Sequence, residues 1–361
     1  MVKMSQDNSI KIIAVGDIML GDQAIKIGHG VNSVIKKNGS NYILEKVKKY
    51  FENGDVLFGN LESILSEKNM NKDSLKSSKL RGKSCSVKIL KDAGFNILSL
   101  ANNHSLEHGK ESLDDTIELL KKNKINYIGV NEYYRKPLIL NIKSKKVALF
   151  NYCLIKDPTS YISVTNEYEI LKDIKEYHDK ADITIVSLHW GTEFINYPSK
   201  DQIKLAHRII DCGADIILGH HPHVLQGIEY YKNRLIAYSL GNFVFDMTVG
   251  TSQQSMILNI NILDDEIKID PIPVRIDSSY RPNPVPHSSI EIYDNDKINV
   301  LLQKSIEDYT VESKRIKNII GQQRRTYFLT HLYRYPPAYS TQFIMKGLKA
   351  RRDNKKGLSD E

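Results

Sequence analysis

Six apolar runs of strand length recur through the first 220 residues of this chain, and all but the fourth stop at polar residues: IKIIAVG (10–16), DVLFGN (55–60), FNILSL (95–100), KVALFNY (146–152), DITIVSL (182–188) and DIILG (215–219). Their length and β-branched content read as buried strands. Between several of them, at 110–123, 166–179 and 199–212, apolar residues recur three and four apart and read as amphipathic helices. Strands and helices in alternation bury their apolar faces by layering helices on a sheet, so the expected class is α/β. After His223 the pattern changes to short strands and turns, with YKNR and LDDE as hairpin connections. A second, more antiparallel sheet is expected there. Residues 295–325 read as one charged amphipathic helix.

In open α/β folds ligands bind beyond the carboxyl ends of strands, and there this chain puts its chemistry. Asp17 and Asp22 follow the first run, Asn60 and Glu62 the second, and Asn102, Asn103, His104 and Glu107 the third. His189 and Glu193 follow the fifth, and His220, His221 and His223 the sixth. One polar strand end means little; five describe a shared site. Carboxylates, amide oxygens and neutral imidazoles are donors for divalent first-row metals such as Mn, Fe and Zn. Cys85, Cys153 and Cys212 lie far apart without CxxC spacing, which argues against a thiolate zinc site or a disulfide framework. Pro222 helps fix a tight turn from which His221 and His223 diverge, an arrangement that suits two neighbouring ions better than one.

The net charge of +8 is carried entirely by the tail. Residues 311–361 hold 12 Lys and Arg against 4 Asp and Glu, which leaves 39 of each sign in residues 1–310. A neutral body argues against nucleic acid as a partner. Within 324–356 the aromatics Tyr327, Phe328, Tyr333, Tyr335, Tyr339 and Phe343 are interleaved with Arg and Lys. That mixture suits a membrane interface or an acidic partner, and equally well a segment packed on the body. No apolar stretch is long enough to span a bilayer, and the opening residues lack the features of a secretory signal.

The segments VGDIMLGD, DVLFGNLE, AGFNILSLANNHSLEHG, SLHWGTE, CGADIILGHHPHVLQG and IAYSLGNFVFD follow the order and spacing of the bacterial capsule-synthesis proteins of CapA or PgsA type. Those proteins resemble the calcineurin-like metallophosphoesterases. The resemblance implies a four-layer α/β/β/α sandwich over residues 8–290, with two divalent metal ions (Mn, Fe or Zn) at the strand ends, and a helical, basic and aromatic extension over 291–361. It implies Asp17, Glu62 and His223 on one metal, with Glu62 bridging to a second held by Asn103, His189 and His221. His104 matches the general acid that protonates the leaving oxygen. Arg81, Asn102 and His220 are expected beside the substrate, His220 more as an orienting group than as a ligand. Where the superfamily has Asp-x-His, this chain has Asp17-Ile18-Met19, as does the capsule family. The first metal is thereby left with three donors unless Asp22 compensates.

The activity implied is hydrolysis of a phosphate ester or anhydride, on a phosphorylated small molecule or polymer precursor, in poly-γ-glutamate capsule production. A non-catalytic accessory subunit of a polymer or glycan machinery is the competing reading. Members of the family are usually held at the membrane by an N-terminal segment, whereas here the first strand begins at residue 10. A cytoplasmic protein is expected, attached peripherally at the inner membrane face, to lipid or a synthase partner, through residues 324–356.

Overall fold

The computed structural model describes residues 9–155, 166–290 and 306–345. Its central strand, Ile10–Ile18, is apolar on both faces because both are covered. Alternation sends Ile12 and Ala14 into a core between two sheets, and Ile13 and Val15 to the opposite face under helices. In the first sheet this strand pairs in parallel with Val56–Leu61, followed outward by Ile97–Ser99 and Asn126–Ile128. Its other flank pairs antiparallel with Gln254–Leu263, then Glu266–Ile276 and Pro282–Pro284. The second sheet runs Ile228–Tyr231, Arg234–Ala237, Ile216–His220, Ile183–His189, Lys145–Cys153 and Leu138–Ile142, parallel in its middle and antiparallel at both edges.

Phe58, Leu149, Ile185, Leu218 and Leu258 meet between the sheets. Each such buried side chain contributes about 1.5–3 kcal/mol. Helices Val31–Asn38, Val87–Ala93 and Lys110–Lys122 cover the outside of the first sheet through Val31, Leu90, Leu113, Ile117 and Leu120. Glu167–Tyr177 and Lys200–Asp211 cover the second through Ile170, Ile174, Ile203, Ala206 and Ile209. The later of these helices starts from a capping box in which Ser199 and Gln202 satisfy each other's backbone N–H groups. The result is the expected α/β/β/α layering.

The strands after His223 do not form a sheet of their own. The hairpin Ile228–Tyr231/Arg234–Ala237 extends the second sheet, and Gln254–Leu263/Glu266–Ile276 extends the first. An isolated hairpin is marginal in water, so each is stabilised by an existing sheet edge and the shared core. The YKNR connection turns through Lys232 and Asn233 with φ of 51° and 62°, the pair of positive values that a type I′ turn requires.

A C-terminal helix, Ile306–Thr330, lies against this body; residues 295–305 of the expected helix fall outside the described residues. Tyr197 donates a hydrogen bond to Glu312, and Ile320 is buried. Phe328, Tyr335 and Tyr339 form a small core with Ile27 and Leu75, and Tyr335 Oη donates to the Ile25 carbonyl at 2.6 Å. Three of the six aromatics considered for a membrane interface are thus spent on the body, while Tyr333 is 78% exposed. Residues 346–356 of the basic stretch lie outside the described residues. Among the described residues no helix is long and apolar enough to cross a membrane.

Candidate metal centre

The strands of both sheets end at one place. In the first sheet the register sets Asp17 between Asn60 and Asn242, and Asn60 beside Ser99. In the second, His189 lies beside His220. His220 reaches across, with Nδ1 3.0 Å from Asp17 Oδ1, and Asn60 Nδ2 donates to the same oxygen at 2.9 Å. Such close approach depends on glycine: a Cβ on Gly219 would sit 1.9 Å from the Tyr238 carbonyl oxygen. Past His220 the chain turns around Pro222 with His221 at φ 93° and His223 at φ 58°. Left-handed backbone of this kind costs about 1–3 kcal/mol per residue and collects at functional sites. It separates the two imidazoles, whose ring centroids stand 5.8 Å apart.

Glu62 is shared by two donor sets. Asp17, Glu62 and His223 offer donor atoms within 4.8 Å of one another, and so do Glu62, His189 and His221; all are buried. Nε2 of His223 and of His189 lie 3.7 and 3.8 Å from Glu62 Oε1. Asn242 spends its Nδ2 on the His223 and Ser252 carbonyls, so its Oδ1 accepts from His223 Nδ1 at 2.9 Å and leaves Nε2 facing Glu62. Asn103 Oδ1, 2.8 Å from His189 Nε2, adds an amide oxygen to the second set. His104 turns Nδ1 to Glu107 Oε2 at 2.9 Å and Nε2 toward Glu62 Oε1 at 3.8 Å. Burial opposes ionisation of Glu107, but His104 and Lys79 hold it down at about 2, so it stays charged.

The donor set fits cations. Both oxygens of Glu62, and Nδ1 of His221, are buried without a hydrogen-bond partner. An unpartnered buried carboxylate costs several kcal/mol, roughly, unless a positive charge meets it. Burial, reinforced by Asp17 and Glu193, pushes Glu62 well above the usual carboxyl range. His223 rises to about 9 despite burial because Glu62 and Asp17 face it, whereas burial and then His223 push His221 down to about 3. Burial also works against Asp17, yet hydrogen bonds from His220 and His223 keep it well below its usual value. Two carboxylates, three imidazoles and an amide oxygen suit Mn, Fe or Zn.

A pH dependence follows. Glu62 and His223 both bind protons more tightly than free side chains do, and an incoming cation must displace them. Metal affinity should therefore climb between pH 6 and 9, by up to about tenfold per unit for each proton displaced, and level off as His223 titrates. Calorimetry in buffers of different ionisation enthalpy would count the protons; an affinity flat across that window would contradict the assignment.

Not every residue singled out in the sequence reaches the centre. Asn102 is buried in the loop, with Nδ2 donating to the Leu61 carbonyl at 2.9 Å and Oδ1 accepting from His104 N–H at 3.1 Å, so it shapes the turn and presents no face to substrate. His220, equally buried, orients Asp17 and is likewise closed to substrate. Arg81 donates Nη1 to the Lys68 and Ser66 carbonyls at 2.7 and 3.3 Å, which engages it with its own loop and not with the cluster. Asp22 accepts from Gly28 N–H and from the Ser33 backbone and hydroxyl, so it supplies no replacement ligand; Met19 lies in the apolar core. The first donor set keeps its three members.

Conversely, Glu107, Asn60 and Asn242 orient groups of the centre, roles that strand-end polarity alone did not distinguish. Glu193 lies near His221, and although burial opposes its ionisation, His223 and Arg324 help to hold it below its usual range. Arg324 comes from the C-terminal helix, where no local motif marks it.

Residues 11–247 match the family model described as bacterial capsule synthesis protein PGA_cap. The chain belongs to this family. The capsule biosynthesis protein CapA of Bacillus anthracis is 34% identical over 302 residues, covering 79% of this chain and 71% of its own length. The PGA biosynthesis protein CapA of Bacillus subtilis (strain 168) is 31% identical over 272 residues, covering 72% and 70%. Among solved structures, a novel phosphatase from Mycoplasma pneumoniae aligns with a TM-score of 0.47 and 17% identity over 74% of this chain and 94% of that one, a likeness too distant to bear on chemistry. The segment matched by the capsule synthesis family holds every metal donor named above and ends before the helix that carries Arg324.

Proposed function

We propose that the protein is a metal-dependent phosphoesterase of capsule synthesis, hydrolysing a phosphate ester or phosphoanhydride of a polymer precursor at the Glu62 centre. One observation carries this reading: a buried carboxylate common to two donor triads, with Nε2 of His104 3.8 Å away. Two divalent cations, when bound, supply Lewis acidity and an activated water for in-line attack at phosphorus. The chain's residues do the rest. Asp17 is kept ionised by His220 and His223, and Glu62 belongs to both donor sets, with its Oε1 facing His223 and His189. Glu107 fixes the His104 ring through Nδ1, so Nε2 is turned to the centre and passes its proton to the departing oxygen. The names of the Bacillus relatives supply the link to capsule and PGA biosynthesis.

The test is phosphate release by the Mn-loaded full chain from a panel of phosphomonoesters, phosphodiesters, phosphoanhydrides and phosphorylated cell-wall precursors. Turnover should vanish on chelation and return with Mn. If the fully loaded protein hydrolyses none of them, the enzyme reading fails and an accessory role in the polymer machinery takes its place.

A further inference from the structure

The C-terminal helix and the segment 246–249 enclose a cavity of about 230 Å³ that the chemistry above does not use. Gln23, Lys26, Asp246, Gln323, Arg324 and Tyr327 are among its walls. Lys26 is only 5% exposed, and its Nζ stands 3.8 Å from the centroid of the Tyr327 ring, with no carboxylate at ion-pair distance among the described residues. Gln23 is more than nine-tenths buried and its Nε2 has no hydrogen-bond partner; Oδ1 of the fully buried Asp246 is in the same condition. Buried polar atoms are nearly always satisfied. The residues that carry these unpartnered groups line one space, which marks it as a place that a ligand completes.

The charge of the walls defines that ligand. Burial, and then the neighbouring Asp22, push Asp246 up to about 8, so near neutrality it carries a proton and leaves Lys26 without an ion-pair partner among the described residues, while Arg324 also lies near Glu193. Position links the cavity to the centre. The Arg324 guanidinium lies 6.0 Å from the Phe194 ring centroid, which is 6.0 Å from that of His223. Phe245, adjacent to Asp246, packs edge-on against His223 at 4.9 Å. The volume is below the about 300–1,000 Å³ of pockets that enclose a whole small molecule, so it admits an end group.

We propose that this cavity binds an oxyanion, a carboxylate or a phosphate, at the non-reacting end of the molecule held at the Glu62 centre, through Lys26, Arg324 and the Gln23 amide. The proposal rests on the phosphoesterase reading only for what the anion is attached to; anion binding itself does not depend on it. Arg324 would then add to specificity from a helix outside the segment matched by the family, alongside Lys26 and Gln23 within it.

Calorimetric titration of the Mn-loaded full chain with glutarate, and separately with inorganic phosphate, tests this in the unmodified protein and in Lys26→Met, Arg324→Gln and His221→Ala. Each of the first two substitutions should weaken one of the probes by about tenfold or more, the scale of a lost charge-assisted contact. His221→Ala should leave that probe's affinity in place, which separates the cavity from phosphate held by the metals. The responding probe identifies the anion as carboxylate or phosphate. Arg324→Gln, on a half-exposed helix position, keeps the test valid if Lys26→Met does not fold. Failure of both probes to bind, or a loss seen only with His221→Ala, overturns the proposal. Failure of the phosphoesterase reading would show separately, as absent turnover with these titrations unchanged.

Discussion

His104→Ala should lower turnover by about 100- to 10,000-fold, the range for removal of a general acid, while leaving metal content unchanged. The imidazole is anchored through Nδ1 to a carboxylate kept charged by Lys79, and only Nε2 faces the centre. The loss should be smallest for esters whose leaving group needs no proton, such as a nitrophenolate. Glu107→Gln should reproduce part of the loss, because the ring would keep a partner at Nδ1 but exchange a charged acceptor for a neutral one and be held less firmly. If His104→Ala also released the metals, His104 would be a ligand and the general-acid role would fall.

Glu62→Gln is expected to strip both cations and reduce turnover to background. Glutamine supplies a single neutral oxygen in place of the carboxylate, so both donor triads lose the negative charge they share at this position. Stability separates this from a folding defect. Since Glu62 is buried with neither oxygen hydrogen bonded, the neutral amide removes a cost, and the chelated variant should melt no lower than the chelated parent. Metal analysis after dialysis, paired with thermal melts, decides it; a variant that keeps both ions would show that Glu62 does not bridge.

Strand ends were legible in the sequence because burial writes a contiguous apolar run and a binding site writes polar residues directly after it. The donors Asp17, Glu62, His189, His221 and His223 could be located in this way, and the fold class with them. What the sequence did not disclose is which of two adjacent polar residues faces inward. Asn102 and Asn103, or His220 and His221, differ by one position, and only the local backbone, including the left-handed φ of His221, decides which side chain meets the cluster and which braces it. Arg81 is ambiguous for a related reason: an arginine near a site carries the same signal whether it meets substrate or, as Nη1 does here, the carbonyls of its own loop. Hairpin strands after His223 announced themselves, but an antiparallel pattern does not say which open edge it will join. The aromatic and basic tail was ambiguous in principle, since amphipathic character suits a lipid surface and a protein surface alike; Phe328, Tyr335 and Tyr339 are buried on the body. The nearness of Arg324 to Glu193 joins distant parts of the chain and leaves no local trace.

The central claim is that Glu62 joins two cation sites. Manganese titration of the chelated full chain, read by metal analysis and electron paramagnetic resonance, addresses it most directly. Two ions per chain with exchange-coupled spectra are expected, falling to one uncoupled ion in His221→Ala. A single ion per chain whose binding ignores His221→Ala would contradict the account.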